Sequence, residues 1–146
     1  MAIFGFLAGA AALAGAADGP RAGRWHVPPA YQQGGWQTRC RAGTDGFAVN
    51  CEANMLSGPY WYRIIVADAQ VSFEVRHGEC STDAVAFSRE TMASLPAAQR
   101  HRQAVSAFDI AAARLRRRCP TLPATERDLT IVPDLAVVGE EVLSRR

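Results

Sequence analysis

Lysine does not occur in this sequence. All 16 basic residues are arginine, and 14 acidic residues bring the formal net charge to +2. Without lysine, Schiff-base catalysis and the lysine of a nucleotide-binding P-loop are excluded. A net charge of this size gives no sign of the dense basic face that nucleic-acid-binding domains present. We therefore expect no specific nucleic-acid partner.

Motifs for catalysis and for metal binding are also few. The chain has three histidines and four cysteines, and no two cysteines form a C-x-x-C pair, so a zinc site has little to build on. No serine lies in a G-x-S-x-G context, and no pair of acidic residues is spaced as a general acid and base. We expect no catalytic residue, no metal and no cofactor.

The N-terminal segment carries no charge between residues 3 and 17. It consists mainly of Ala, Gly and apolar residues, and Ala14-Gly15-Ala16 satisfies the A-x-A pattern of signal-peptide cleavage. The run is about 15 residues long, below the roughly 20 that an apolar helix needs to span a bilayer. Unlike an ordinary signal, it has no Arg or Lys before the apolar part. We interpret residues 1–17 as an export signal or, if retained, an N-terminal anchor that contacts a membrane.

The four cysteines of an exported chain predict two disulfides in an oxidising compartment. Residues 45–46 are Asp-Gly and lie between two strand-like runs, which is typical of a two-residue hairpin turn. With that turn, Cys40 lies directly opposite Cys51, within disulfide reach. Cys80 is then left to pair with Cys119, which closes a loop of about 40 residues and stabilises the fold by about 4 kcal/mol.

Apolar residues that alternate with polar ones predict an antiparallel sheet. The strands are expected at residues 36–40, 47–53, 60–67 and 71–76. The third carries apolar bulk on both faces, which favours either a central position or a strand with one face packed on a helix and the other on a second layer. Residues 84–88 fit either a fifth strand or the beginning of a helix, because their periodicity does not decide.

A long helix is predicted over residues 96–119. Ser94 is placed to cap it, Pro96 suits its first turn and Pro120 ends it. One face is formed by residues at steps of three and four: Val105, Phe108, Ala112, Leu115 and Cys119. The opposite surface collects the arginines: Arg100, Arg102, Arg114, Arg116, Arg117 and Arg118.

These elements predict an α+β fold, in which an antiparallel meander of four to five strands packs against a long C-terminal helix and is stapled by two disulfides. Residues 18–35 are rich in Gly and Pro and read as an extended arm. Residues 36–146 are expected to form the single domain, with a further short strand at residues 129–132.

The stretch FEVRHGECS, residues 73–81, places Arg-His-Gly-Glu directly after an apolar run. It resembles the loop that carries the phosphate-accepting histidine of phosphohistidine enzymes. The resemblance implies that the catalytic site also needs a second histidine and a much larger α/β domain. Only 68 residues follow Gly78, and the one later histidine is His101 on the predicted helix. The crossovers of such a domain do not fit. We interpret His77 as a surface residue at the end of a strand that contacts a partner.

Two groups are candidate binding residues. The arginine cluster fits an anionic ligand because guanidinium groups bind phosphate bidentately, although cations are also favourable in the last turn of any helix. The aromatic group fits either a stacking platform or core packing, and alternation along the strand forces at least one of its rings onto an outer face. The residues are Arg114, Arg116, Arg117 and Arg118 in the first group and Tyr60, Trp61 and Tyr62 in the second.

The pattern Trp36-x-x-x-Cys40, followed by a short hairpin and by Cys51-Glu52, resembles the opening of the invasion-associated locus B family of exported alphaproteobacterial proteins. The stretch from Phe73 onwards resembles their second half, so that the match covers about residues 35–95. The chain departs from that family in pairing its third cysteine across a long helix. The resemblance implies a periplasmic or secreted envelope protein involved in host contact, without established catalysis.

Taken as a sequence, the chain is predicted to be an exported, periplasmic or secreted, noncatalytic binding protein of the bacterial cell envelope. Its partner is expected to be another envelope protein or an anionic surface. The alternative is an accessory subunit of a larger membrane or envelope assembly that retains residues 1–17 as an anchor. A third hypothesis is a small hydrolase or transferase that uses His77.

Overall fold

The computed structural model describes residues 34–42, 49–67, 69–123 and 129–137. Five strands form one sheet in the order β1-β2-β3-β4-β5, with every neighbouring pair antiparallel. Within these described ranges, they are followed by two helices and by a 3₁₀ turn at Leu135–Val137. The strands are β1 Gln37–Ala42, β2 Val49–Ser57, β3 Tyr60–Ala67, β4 Gln70–His77 and β5 Val85–Ser88; the helices are α1 Arg89–Ser94 and α2 Ala97–Arg118. The predicted α+β meander with a long helix is confirmed.

Each central strand divides its side chains between two faces of the sheet. In β3, Tyr60, Tyr62, Ile64 and Val66 are buried, while the residues between them are partly exposed. The same alternation continues in β4, where Val71, Phe73 and Val75 are buried. We call the side on which these residues lie the inner face and the opposite side the outer face. The prediction that β3 is central is confirmed, since it pairs with β2 on one side and with β4 on the other.

Helix α2 packs on the inner face through Phe108. The ring of Phe108 lies 5.8 Å from that of Trp36, 5.5 Å from that of Tyr62 and 5.3 Å from that of Phe73, measured between centroids. The other buried residues of α2 are four alanines and one leucine: Ala104, Ala107, Ala111, Ala112 and Leu115. Small side chains along the contact let the helix axis approach the sheet closely, so that one large ring can fill the space between α2, two strands and Trp36.

Two disulfides join the elements as expected. Cys40 and Cys51 are directly opposed in the register of β1 and β2, with Cα atoms 4.1 Å apart. Cys80 follows β4 and bonds Cys119 at the end of α2, 39 positions later in the sequence. No free cysteine remains. Two such bonds indicate an oxidising, extracytoplasmic environment.

The residues around the helix starts differ from the expectation. Ser94 does not cap α2: it is the last residue of α1, and its hydroxyl donates to the carbonyl oxygen of Thr91 at 2.7 Å. Pro96 occupies the N-cap position of α2, where it makes no capping hydrogen bond because its side chain has no acceptor. Ser88 caps α1 instead, accepting from the Thr91 N–H at 3.4 Å.

The predicted strand at residues 129–132 is wrong. No strand occurs in the described part of the C-terminal segment, residues 129–137, which crosses the inner side of the molecule as irregular chain. Its carbonyl at Ile131 accepts from the indole N–H of Trp36 at 2.8 Å, and Leu135 and Ala136 are buried. The described part of this segment pairs with neither edge strand, β1 or β5, and is held by side-chain contacts instead. The hairpin turn expected at residues 45–46 lies outside the described residues.

Replacing Phe108 with Ala should lower the free energy of unfolding by about 3 to 5 kcal/mol, because it leaves a cavity among three aromatic rings. Urea unfolding followed by circular dichroism measures the change. Ile110→Ala is the matched control: this residue is two positions away on α2 and 41% exposed, so its loss should be below about 1 kcal/mol. Equal losses in the two variants would contradict the central role of Phe108.

Candidate functional site

The three aromatic residues that open β3 do not share one surface. Tyr60 is 3% and Tyr62 is 2% exposed, so the expectation that they form an exposed binding platform is wrong. Both lie on the inner face, where the Tyr60 hydroxyl donates to the carbonyl oxygen of Pro123 and the Tyr62 ring packs edge-on against Phe108. Trp61, between them, points to the outer face and stays partly exposed.

A ladder of ion pairs crosses the outer face from β1 to β4. Arg39 contacts Glu52 at 2.6 Å, Arg63 contacts the other oxygen of Glu52 at 3.0 Å, and Arg63 also contacts Glu74 at 3.5 Å. The register explains the order, because Arg39 is directly opposite Glu52 and Arg63 is directly opposite Glu74. Opposed charges on one face of a sheet favour pairing of this kind.

The indole of Trp61 is held by three contacts next to this ladder. Its N–H donates to the side-chain oxygen of Asn54 at 2.9 Å. The guanidinium of Arg63 lies 5.5 Å from the ring centroid, and that of Arg76, directly opposite Trp61 in the register, lies 5.1 Å from it. Both distances are in the cation–π range. The ring therefore has a defined orientation while part of it remains open to solvent.

Leu56 adds an apolar residue beside the ring. It is 74% exposed and directly opposite Trp61 in the pairing of β2 with β3. A shallow groove next to both is also lined by Gly35, Gln37 and Asn54. We call Asn54, Leu56, Trp61, Arg63 and Arg76 the Trp61 surface. It combines an exposed apolar side chain, an oriented aromatic ring and two guanidinium groups, and Trp and Arg are the residues most enriched at binding hot spots.

Arg76 differs from the other arginine of this surface. It makes no salt bridge with any residue in the described ranges. Its Nε is buried without a hydrogen-bond partner there, as is the Nε of Arg63. Arg63 is engaged by both Glu52 and Glu74. An arginine that stacks on an aromatic ring without a carboxylate partner is an unneutralised cation at a fixed place on the surface.

The arginine cluster at the end of α2 is exposed. Arg114, Arg116, Arg117 and Arg118 all lie at the surface, and the last three occupy the final turn of the helix, where the macrodipole favours positive charge. Arg100, expected on the same surface, is not part of it. Its side chain is 14% exposed and bonds Asp134 at 2.8 to 3.0 Å, so that it ties the C-terminal segment to α2.

His77 ends β4 in a tight turn. Its ring is half-buried and packs edge-on against Tyr60, with centroids 4.9 Å apart, and its backbone exchanges two hydrogen bonds with Cys80 across Gly78. Gly78 has φ +56°, which only glycine adopts readily. His101 lines a cavity of about 40 Å³ with Arg100 and Asp134, and His77 is not among its lining residues. Such a volume accommodates only a few water molecules.

Within the described ranges, no three His, Cys, Asp or Glu side chains are grouped to hold a metal ion. None of the helices described there is long and apolar enough to span a bilayer. Of the residues predicted to bind a partner, the structure leaves Trp61, His77 and the four cluster arginines at or near the surface.

The ladder and most of the Trp61 surface were not anticipated from the sequence. A usable signal was present, because the pairing of Cys40 with Cys51 already places Arg39 opposite Glu52. To predict that Leu56 and Arg76 lie opposite Trp61, one would also need the lengths of the connections between β2 and β3 and between β3 and β4. Single-residue differences in those connections would exchange the faces on which these side chains lie.

Glu52 is the carboxyl at the centre of the ladder. Burial raises its pKa, but the hydrogen bonds and the positive charges of Arg63 and Arg39 outweigh burial and bring the pKa below its ordinary value of 4.5. A carboxyl whose pKa is lower in the folded than in the unfolded chain stabilises the fold above the unfolded-chain pKa. That stabilisation is lost as the pH falls through the folded-state pKa.

Replacing Glu52 with Gln should therefore lower the free energy of unfolding by roughly 1 kcal/mol at pH 7. This figure already allows for solvent screening of the ion pair with the partly exposed Arg39. The difference between wild type and variant should shrink as the pH falls below 4.5. Urea unfolding at pH 7 and at acidic pH measures it. Glu79→Gln, at an exposed turn position, should show no such dependence; a difference that stays constant with pH would contradict the role of the ladder.

Comparison with known proteins identifies no relative. No family model matches the chain, and no curated protein and no solved structure is significantly similar to it.

Proposed function

We propose that this protein is an exported, noncatalytic interaction protein of the bacterial cell envelope. The observation that carries the proposal is the Trp61 surface, where Leu56 is 74% exposed directly opposite an oriented indole. A side chain exposed to that degree beside a fixed aromatic ring is a ready anchor for a partner protein. In the part of the chain that the structure describes, α2 occupies the opposite face of the sheet, which favours the outer face as the side for recognition.

Export to the periplasm or beyond the cell is the proposed location. The two disulfides favour an oxidising compartment, and residues 1–17 have the composition of a signal segment. The resemblance to the invasion-associated locus B family rests on the Trp36 to Cys51 pattern and is compatible with the same location. We propose that relationship only at the level of an exported envelope protein with a similarly stapled hairpin.

The arginine cluster is proposed as a second contact, toward an anionic surface or an acidic face of the same partner. All four of its guanidinium groups are exposed, and Arg side chains bind phosphate and carboxylate groups well. It lies at the end of α2, whereas the Trp61 surface lies on the outer face of the sheet. Salt should weaken contacts at the cluster more than contacts at Leu56 and Trp61, since only the former are electrostatic.

Site-specific photo-crosslinking in cells tests the proposal. A photoreactive amino acid at Leu56 should give a discrete adduct with a partner, and the adduct should be lost when Trp61→Ala is combined with it. The same amino acid at Ala98, an exposed position at the start of α2, should give none. Absence of an adduct at Leu56, or equal adducts at both positions, would count against an interaction surface on the outer face.

The alternative is an accessory subunit that retains its N-terminal segment as an anchor. Intact mass of the protein recovered from cells under nonreducing conditions separates the two proposals. Cleavage after a residue near Ala17 is expected for the exported protein, together with a mass that accounts for both disulfides. A mass that includes Met1 and residence in the membrane fraction would instead favour the anchored subunit.

A further inference from the structure

We propose that the Trp61 surface recognises an acidic segment of its protein partner, with a carboxylate bound by Arg76 and a neighbouring apolar side chain packed on Leu56 and Trp61. This inference rests on the proposed function and adds the chemistry of the partner to it. The recognised element would be an extended stretch in which an Asp or Glu is close to an apolar residue.

Both carboxylates of the ladder on the outer face are already paired with arginines other than Arg76. Glu52 is bound by both Arg39 and Arg63, and Glu74 is bound by Arg63. Neither carboxylate has a salt bridge with Arg76. The ladder therefore consumes the acidic groups of this face and leaves Arg76 as a cation without a counter-charge among the described residues. A carboxylate supplied by a partner would complete the pattern that the ladder begins.

The Arg76 guanidinium is held in place by its contact with Trp61. Its Nε is shut off from water, and its Cζ lies over the Trp61 ring, 5.1 Å from the ring centroid. This cation–π contact holds the group in place before a ligand arrives, which lowers the entropy cost of binding. The terminal amino groups of Arg76 are the part of the side chain left to donate to a carboxylate, and hydrogen bonds of this charged kind are the strong ones.

The arrangement of the surface indicates what accompanies the carboxylate. Leu56, Trp61 and Arg76 form one row across β2, β3 and β4, because each is directly opposite the next in the register. Neighbouring strands are about 4.8 Å apart, so the row is about 10 Å long. In an extended peptide, residues i and i+2 point to the same side about 7 Å apart. An apolar residue two positions from an acid can therefore meet the apolar end of the row while the acid meets Arg76.

A peptide fits this surface better than a lipid surface does. Membrane headgroups are bound by clusters of several cations, whereas the row offers one unneutralised guanidinium beside an exposed leucine. The adjoining groove carries the side-chain amides of Gln37 and Asn54, which match the hydrogen-bonding groups of a peptide backbone. The arginine cluster on α2 is the part of this chain that has the composition suited to a headgroup surface.

Nuclear magnetic resonance titration of the disulfide-bonded protein tests the inference. The probes are the blocked peptide Ser-Leu-Thr-Glu-Ser and its counterpart with Gln in place of Glu. The acidic peptide should shift the indole N–H of Trp61 and the Nε–H of Arg76, with an affinity about tenfold above that of the neutral peptide. The indole signal of the buried Trp36 should remain in place and reports that the fold is intact.

Arg76→Gln should reduce the affinity for the acidic peptide to that for the neutral one. Arg102→Gln, at an exposed position on α2, is the matched control and should leave the affinity unchanged. Equal affinities of wild type for the two peptides, no shift at Trp61, or equal effects of the two substitutions would overturn the inference.

Two further titrations identify the source of the anion. Sodium phosphate and vesicles of anionic phospholipid should leave the Trp61 indole signal unshifted at concentrations where the acidic peptide shifts it; a stronger response to either would overturn recognition of a peptide. The proposed function has a separate outcome. If the crosslink at Leu56 forms and depends on Trp61 but not on Arg76, the outer face is an interaction surface but the recognition of an acidic segment is disproved.

Discussion

The packing of one aromatic ring, that of Phe108, holds the two layers of this protein together. The ring is in contact range of Trp36 before β1, Tyr62 on β3 and Phe73 on β4. Alanines on the same side of α2 allow the close approach that this insertion needs. One side chain thus joins α2 to β3, to β4 and to the residue that precedes β1. The face of the sheet that this ring contacts is the inner face.

The two disulfides lie away from the Phe108 contact and join other parts of the sheet and helix. Cys40–Cys51 fixes the register of the hairpin at one edge of the sheet, and Cys80–Cys119 fixes the end of α2 to the exit of β4. The Arg100 ion pair with Asp134 and the Trp36 hydrogen bond to Ile131 hold the C-terminal segment against the same core. The turn at Gly78, directly after His77, positions Cys80 to form its disulfide with Cys119 at the end of α2.

Among the described residues, α2 packs on the inner face and the outer face carries polar, charged and aromatic side chains. The carboxylates of this face are paired with guanidinium groups, and Arg63 and Asn54 also orient the Trp61 ring. The same constraint that buried Tyr60 and Tyr62 placed Trp61 opposite Leu56 and Arg76. Core packing and the candidate binding surface are thus two consequences of one alternation.

Much of the fold followed from local patterns. The bounds of β3, the pairing of all four cysteines and the long helix were predictable, because alternation with period two, a hairpin turn and steps of three and four along a helix are properties of nearby residues. The choice between strand and helix at residues 84–88 was not, and the structure places β5 there. Four residues are too few for a period to be read, so pairing with β4 made the decision.

The sequence by itself determined that neighbouring residues of β3 face opposite ways, and that Cys40 meets Cys51. Only the tertiary structure decided which face of β3 the helix covers, since both faces carry apolar bulk and the choice depends on contacts with Phe108 nearly 50 positions away. It likewise decided that Arg100 pairs with Asp134 while Arg76 stays without a carboxylate. Contacts between distant positions set these outcomes, and no local pattern encodes them.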